Sequence, residues 1–291
     1  LVLVDTEVIE QITQLTAPKA TALGGGTYNR VLRVTAAEGE FVVKISPGEQ
    51  PGLTYERDLM RTEALFCTLA SKIAPVPEVE HTDFSRRHVD ADVLVTTLLP
   101  GTPLAGRSDV DRTSIRRQLA QATRTLHTVE GEAFGYPQLG LHDTWSQAFI
   151  GMVDAVRADA ERFNVTLPNI PVEQHKTLFD EIRKPVLVHF DLWDGNVLAD
   201  HALTGLIDGE RAFWGDPVAE FVSPALFTDI DDEFLTAYGT ELTDADRVRL
   251  AAYQAYLYAI MLTEQVPRNN TDERLTRLIT QALVAAVGVL G

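Results

Sequence analysis

The sequence predicts an α+β chain in two lobes: a small antiparallel-sheet N-terminal lobe over residues 1–99 and a larger, mainly helical lobe over residues 100–291. Three observations predict it. Short β-branched runs bounded by turn signals crowd the first hundred residues. Pro100-Gly101 interrupts the chain where that pattern stops. Beyond it, apolar residues recur at helical spacing over long stretches. Hydrophobic residues make up 45% of the 291, enough for a sizeable core, so global disorder is not expected.

Taken in order, Val31-Leu32-Arg33-Val34 and Phe41-Val42-Val43-Lys44-Ile45 read as strands, with Ala36-Ala37-Glu38-Gly39-Glu40 as the hairpin connection. Arg57 to Ile73 has helical spacing, with Leu65 and Leu69 four apart, and Pro75 and Pro77 close it. Val93 to Leu98 is a further strand, ended by Pro100-Gly101. In the second part Ile115, Leu119, Ala122 and Leu126 share one helical face. Amphipathic stretches run from Asp244 to about Glu264 and from Asp272 to Leu290. The clear strands there are two, Val186 to His189 and Gly205 to Ile207. A crevice between the two parts is the expected home of a small-molecule site.

The formal charge of −17 disfavours a nucleic-acid partner, because it repels phosphate backbones. It attracts metal ions and polyamine-like substrates, and it also serves solubility. Cys67 is the only cysteine, which excludes a disulfide within the chain and a cysteine zinc site. It sits in an apolar helical pattern and reads as a buried structural thiol. No apolar run approaches the ~20 residues needed to cross a bilayer. Leu1-Val2-Leu3-Val4-Asp5 lacks the basic start of a signal peptide, so a cytoplasmic protein is expected, as a monomer or homodimer.

The chemistry is concentrated in two segments. His189-Phe190-Asp191-Leu192-Trp193-Asp194-Gly195-Asn196 follows one apolar strand, and Asp208-Gly209-Glu210 follows the next. Two neighbouring strands ending in acidic turns would bring Asp191, Asn196 and Asp208 together. Asp191 can accept or orient a hydroxyl proton. The Asn196 carbonyl and the Asp208 carboxylate are hard oxygen ligands suited to Mg²⁺, which keeps several waters and takes few protein ligands. That is what phosphoryl transfer needs. A lone Asp-Gly would be only a turn; the ordered set says more.

Upstream, Gly24-Gly25-Gly26-Thr27-Tyr28-Asn29 could bring backbone amides of Gly25, Gly26 and Thr27 against phosphate oxygens, although it is neither a Walker A loop nor a Rossmann pattern. Lys44 lies inside an apolar strand, where an unpaired charge costs several kcal/mol. It should find an anion, either a nucleotide phosphate or a carboxylate. Glu63 on the following helix is the natural protein partner and Glu56 the alternative.

The order of glycine-rich hairpin, Lys44, Glu63, His189-x-Asp191-x4-Asn196 and Ile207-Asp208 resembles the protein-kinase-like fold. More narrowly, it resembles the aminoglycoside phosphotransferase and choline kinase superfamily, through Gly215-Asp216-Pro217 after the metal loop. The likeness runs from Gly24 to about Phe221. It implies an ATP-dependent kinase, with GTP as the other nucleotide to consider, acting on a hydroxyl of a small molecule. Asp191 would be catalytic, Asn196 and Asp208 would hold Mg²⁺, and Lys44 fixed by Glu63 would contact the phosphates. Thr97 and Leu98 would belong to a hinge that reads the adenine edge. Asp216 would brace the catalytic loop, and His189 and His127 would be structural. Two departures stand out: Phe190 replaces the family's usual glycine, and Gly209-Glu210 replaces a protein kinase's Phe-Gly. The Leu192-Trp193-Asp194-Gly195-Asn196 wording resembles fructosamine kinases.

The acceptor implied is an aminoglycoside or amino sugar, with another sugar, a fructosamine or an amino alcohol as the alternative. Carboxylates beside aromatics suit an amine-bearing substrate, and Glu210, Asp231, Glu264 and Trp214 are the candidates. A nucleotide-binding scaffold would need none of Lys44, Asp191, Asn196 and Asp208 together.

Overall fold

The computed structural model describes residues 6–24, 29–47 and 51–291. After a short helix α1 (Thr6–Thr13), strands β1 (Lys19–Ala22), β2 (Arg30–Ala36), β3 (Gly39–Ile45), β4 (Val79–Asp83) and β5 (Val93–Thr97) form one antiparallel sheet in the order β1-β2-β3-β5-β4. Its two faces are covered differently. Leu32, Val34, Phe41, Val43, Val93 and Val95 close a small core with Ile9 and Ile12 of α1. The opposite face meets α2 (Leu59–Ala70), where Met60 and Ala64 pack with Leu94. Lys44 stands directly opposite Leu94 in the register, so its side chain shares that second face. The pleat therefore sends the one charge of the apolar run Phe41-Val42-Val43-Lys44-Ile45 toward α2.

The second part is helical: α3 (Arg112–Leu126), α4 (Trp145–Arg162), α5 (Lys176–Asp180), α6 (Asp232–Tyr238), α7 (Asp244–Glu264) and α8 (Glu273–Leu290). Helix α7 begins with a capping box, in which Thr243 and Asp246 satisfy each other's backbone amides. It is buried almost all round, and Ala251, Ala252, Ala255 and Ala259 let neighbours approach closely. Trp145 of α4 anchors the core: its ring stacks on Phe213 at 5.7 Å and its indole N–H donates to Tyr253 at 2.7 Å.

The strands of this part differ from the two that sequence reasoning expects. β6 (Thr102–Pro103), β8 (Val197–Ala199) and β9 (Leu203–Leu206) form one small sheet, while β7 (Val186–Val188) pairs with β10 (Phe213–Gly215) in another. The strands that precede Asp191 and Asp208 are thus not partners. The chain turns straight from β7 into β8, and β8 takes β9 as its hairpin mate. Phe213–Gly215 then fills the free edge of β7, because its aromatic residues belong to the same core.

Helix α2 is tied to the helical part as well as to the sheet. Thr54, just before it, donates its N–H and hydroxyl to Asp159 of α4 at 2.5 and 2.9 Å, and Arg162 donates to the Gly52 carbonyl at 2.7 Å. At its far side Phe66 lies against Gly209, where a Cβ would come within 2.3 Å of the ring, so only glycine fits. Among the described residues no helix is long and apolar enough to cross a membrane.

Asp159 is 3% exposed. Asp159→Ala should lower stability by about 1–3 kcal/mol, the cost of leaving the half-buried Thr54 donors unpaired. Urea unfolding checks this, and an unchanged midpoint would show that the Thr54 contact does not fasten α2.

Candidate active site

The turn after β7 is held by a residue the sequence did not single out. Glu220, fully buried, accepts the backbone N–H of His189 at 2.6 Å and of Phe190 at 2.9 Å. Ser223 accepts the N–H of Leu192 at 2.8 Å. These bonds fix a strained conformation, since Phe190 adopts a left-handed φ of 65° that is costly for a bulky residue. Its ring offsets the cost by burial against Phe213 (5.1 Å) and Tyr256 (5.8 Å). The substitution for glycine therefore thickens the core and not the cleft.

His189 joins the two acidic loops. Its Nε2 lies 3.0 Å from the Ile207 carbonyl, and its Nδ1 accepts the Asp191 N–H at 3.2 Å. That pattern fits a neutral ring with the proton on Nε2. Burial lowers its pKa, although Glu220 pulls the other way.

Asp191 then faces the cleft. Asn196 donates through Nδ2 to the Asp191 carboxylate and to its carbonyl, each at 2.9 Å. Both amide hydrogens are thereby used, which leaves the Asn196 carbonyl oxygen to hold a cation. Burial pushes the Asp191 carboxyl up to about 7, against the pull of Arg211, whose Nε is 3.9 Å away.

Lys44 donates to Glu63 at 2.6 Å and also to Asp208 on the far loop. Although burial opposes its charge, Asp208 and Glu63 hold its pKa well above the usual lysine range. Burial raises Glu63, whereas Lys44 brings Asp208 below its ordinary value in spite of burial. Of the two partners offered by the sequence, Glu63 is the one in contact. Glu56 instead accepts from the Leu53 N–H at 2.6 Å and from Arg268 at 2.6 Å.

These groups line a cleft of about 500 Å³, with Lys44, Asp191, Asn196, Asp208, Glu210 and Arg211 along its polar side. The Asp208 side chain is 41% exposed and can offer oxygen to a metal ion. Among the described residues no group of three or more His, Cys, Asp or Glu could hold a metal. A carboxylate plus an amide carbonyl fits an ion that keeps most of its waters, which is magnesium's habit.

The other candidates fall as follows. Gly25, Gly26 and Thr27 lie outside the described residues. Thr97 ends β5 with its N–H and hydroxyl engaged by Glu78, each at 3.0 Å, and the Leu98 N–H makes a long 3.4 Å bond to Glu40. Glu210 lines the cleft and accepts from Asn29 at 2.9 Å; burial and Asp208 push it up to about 8. Glu264 lines it too, but its carboxylate is already held by Arg211 at 3.1 Å and Arg268 at 3.0 Å. Asp231 caps α6 and pairs with Arg116 at 2.7 Å, outside this cleft. Trp214 is buried in β10 against Gly131 and does not line it.

Asp216 departs from the role the resemblance gives it. It accepts from the Val218 N–H (3.0 Å), Arg249 (2.8 Å) and Tyr253 (2.7 Å), and Glu220 braces the loop in its place. The signal for Glu220 was present, since it sits inside Val218-Ala219-Glu220-Phe221-Val222, and a charge in an apolar run must find partners. His127 is structural as expected, with Nδ1 2.8 Å from the Tyr238 hydroxyl. Cys67 is buried, and burial pushes its thiol pKa far up, which makes it inert.

The family model of the phosphotransferase enzyme family APH matches residues 19–253. A curated relative, the probable ketoamine kinase of Lactiplantibacillus plantarum (strain ATCC BAA-793 / NCIMB 8826 / WCFS1), is 35% identical over 75 residues, or 25% of this chain. That match spans only 27% of the relative's length. Among solved structures, a candidate fructosamine-3-kinase from Haemophilus somnus 129PT is similar with a TM-score of 0.71 and 18% identity, covering 96% of each chain. A second, from Thermobifida fusca YX-ER1, has a TM-score of 0.69 and 21% identity, covering 97% of this chain and 98% of the other. A thermostable mutant of aminoglycoside phosphotransferase APH(4)-Ia, in complex with AMP-PNP and hygromycin B, has a TM-score of 0.65 and 16% identity, covering 99% and 98%. At these identities the structures share the fold, an α+β arrangement of antiparallel sheet and helices.

Two variants probe the loop. Glu220→Ala leaves two buried N–H groups without acceptors and should cost about 2–6 kcal/mol, at roughly 1–3 for each group. Phe190→Gly relieves a left-handed strain of roughly 1–2 kcal/mol but loses a buried aromatic worth about 3–5 kcal/mol. It should therefore be destabilised in thermal unfolding; a stabilised protein would mean that strain, not packing, dominates there.

Proposed function

The chain belongs to the phosphotransferase enzyme family, and on that premise we propose that it is an ATP-dependent kinase. It moves the γ-phosphate onto a hydroxyl of a ketoamine, an amino sugar of the fructosamine type. The observation that carries the chemistry is the meeting of Lys44, Asp191, Asn196 and Asp208 on one cleft. A scaffold would gain nothing from keeping all four.

In this reading residues 1–99 hold the nucleotide and residues 100–291 supply catalysis and the acceptor site. Backbone amides of Gly25, Gly26 and Thr27 cover the phosphates, and Thr97 and Leu98 flank the adenine. Lys44, steadied by Glu63, aims its ammonium at the phosphates. Asn196 and Asp208 are the residues that would hold magnesium, which when bound neutralises phosphate charge. Asp191 orients the acceptor hydroxyl and receives its proton as the oxygen bonds to the γ-phosphorus. The bond from that phosphorus to the β–γ bridging oxygen breaks, and ADP leaves. The protein mainly positions groups and neutralises charge. ATP is favoured over GTP by the likeness to an enzyme solved with AMP-PNP. The ketoamine acceptor is supported by the match to a ketoamine kinase and by Trp193-Asp194-Gly195-Asn196.

Asp191→Ala should abolish Mg-ATP-dependent phosphorylation while nucleotide binding, followed by calorimetry, survives. Turnover within tenfold of wild type would sink the assignment. Lys44→Met should raise the nucleotide KM and lower kcat, and unchanged values for both would remove Lys44 from the site. A coupled ADP-release assay over fructosamines, aminoglycosides and choline-like alcohols tests the acceptor: preferential turnover of fructosamines is expected, and preference for either other class would overturn that part.

A further inference from the structure

We propose that the acceptor side of the cleft is an apolar chamber that selects ketoamines bearing an uncharged aliphatic or aromatic substituent on nitrogen, and rejects polycationic amino sugars. The proposal rests on the ketoamine reading above and narrows it. Beyond Asp191 the wall is formed by Leu226, Phe227, Leu257, Met261 and Leu275. All but Leu257 are only half-buried, so their apolar surface is open to a ligand. Contiguous apolar surface lining a pocket favours an apolar occupant, at up to roughly 25 cal/mol per Å² covered.

Phe227 carries an independent mark of function. It is a bulky residue held at φ 62°, a left-handed conformation that costs energy unless its surroundings enforce it. Here they do. Its N–H donates to the Tyr258 hydroxyl at 3.0 Å, and its ring stacks nearly flat on Tyr258, 5.4 Å between centroids at 8°. The strain places an aromatic ring on the wall of the cleft.

The carboxylate that α7 contributes beside the apolar residues is already engaged. Glu264, the carboxylate that could have met an ammonium group, is shared between two guanidiniums, those of Arg211 and Arg268. Arg268 is also paired with Glu56 at 2.6 Å. An additional ammonium here would have to displace a cation from a largely buried pair. Removing one partner of such a pair is strongly unfavourable. The chain's overall charge of −17 draws cations toward the molecule, and Asp191, Asp208 and Glu210 line the polar side of the same cleft, but the carboxylate that α7 adds to it, Glu264, is already paired.

The test is a series of 1-amino-1-deoxyfructose derivatives made from methylamine, butylamine, hexylamine, benzylamine and 1,3-diaminopropane. Calorimetry without nucleotide reads the chamber independently of transfer. Binding should tighten roughly two- to fourfold per added methylene along the alkyl members, and the ammonium-tailed derivative should bind at least tenfold more weakly than the butyl one. Equal affinity across the alkyl members, or tighter binding of the ammonium tail, overturns the proposal. Leu275→Asp and, separately, Met261→Glu should reverse the order of the ammonium-tailed and butyl derivatives. If both variants fold, as judged by far-UV circular dichroism, and neither shifts that ratio, the assignment of this wall fails. Phosphorylation of the same series tests the function itself: absence of ADP release with every derivative, while binding still tightens with chain length, would overturn the ketoamine kinase reading and leave the apolar chamber standing.

Discussion

Lys44 cannot sit where the β-pleat puts it unless carboxylates reach it from two directions. Its strand is apolar, its side chain faces α2, and it is only 7% exposed. Glu63 comes from α2 and Asp208 from the loop after β9. Breaking one side of such a pair costs several kcal/mol, because a buried charge is left uncompensated. The contact therefore fixes three elements relative to one another: the sheet, the helix and the acidic loop. Everything on the polar side of the cleft follows from that geometry.

The same logic governs the other loop. Glu220 is buried without a lysine; two backbone amides of the His189–Phe190 turn satisfy it. His189 then bridges this turn to the Ile207 carbonyl, so the loops of Asp191 and Asp208 share one frame although their strands lie in different sheets. The left-handed Phe190 is tolerated because its ring belongs to the aromatic core built on Trp145, Phe213 and Tyr256. A position where the resembling family keeps glycine is here an anchor for the turn.

Acidic residues chosen from sequence for an amine substrate divide sharply once placed. Asp231 ends as a helix cap, Glu264 lines the cleft as the centre of an arginine pair, and Glu210 lines it beside catalytic groups. Composition favours cations throughout, yet the wall beyond Asp191 is apolar. Net charge speaks for the whole surface at long range, whereas selectivity at a pocket is set by the few groups left unpaired there.

The sequence by itself determined the class of fold and the polar side of the site, because both are written locally. Period-two runs mark the strands around Lys44, helical spacing marks α3, α7 and α8, and Asp191, Asn196 and Asp208 stand at short fixed intervals after apolar runs. A lysine within an apolar strand announced its need for a carboxylate, and the helix that follows supplied Glu63. Tertiary structure alone decided which strands pair, that Asp208 also reaches Lys44, that Glu220 and not Asp216 holds the turn, and that Trp214 faces the core. Each of these depends on groups far apart in sequence competing for one partner. Periodicity records which face of an element is buried, but not which of several distant residues will meet it there.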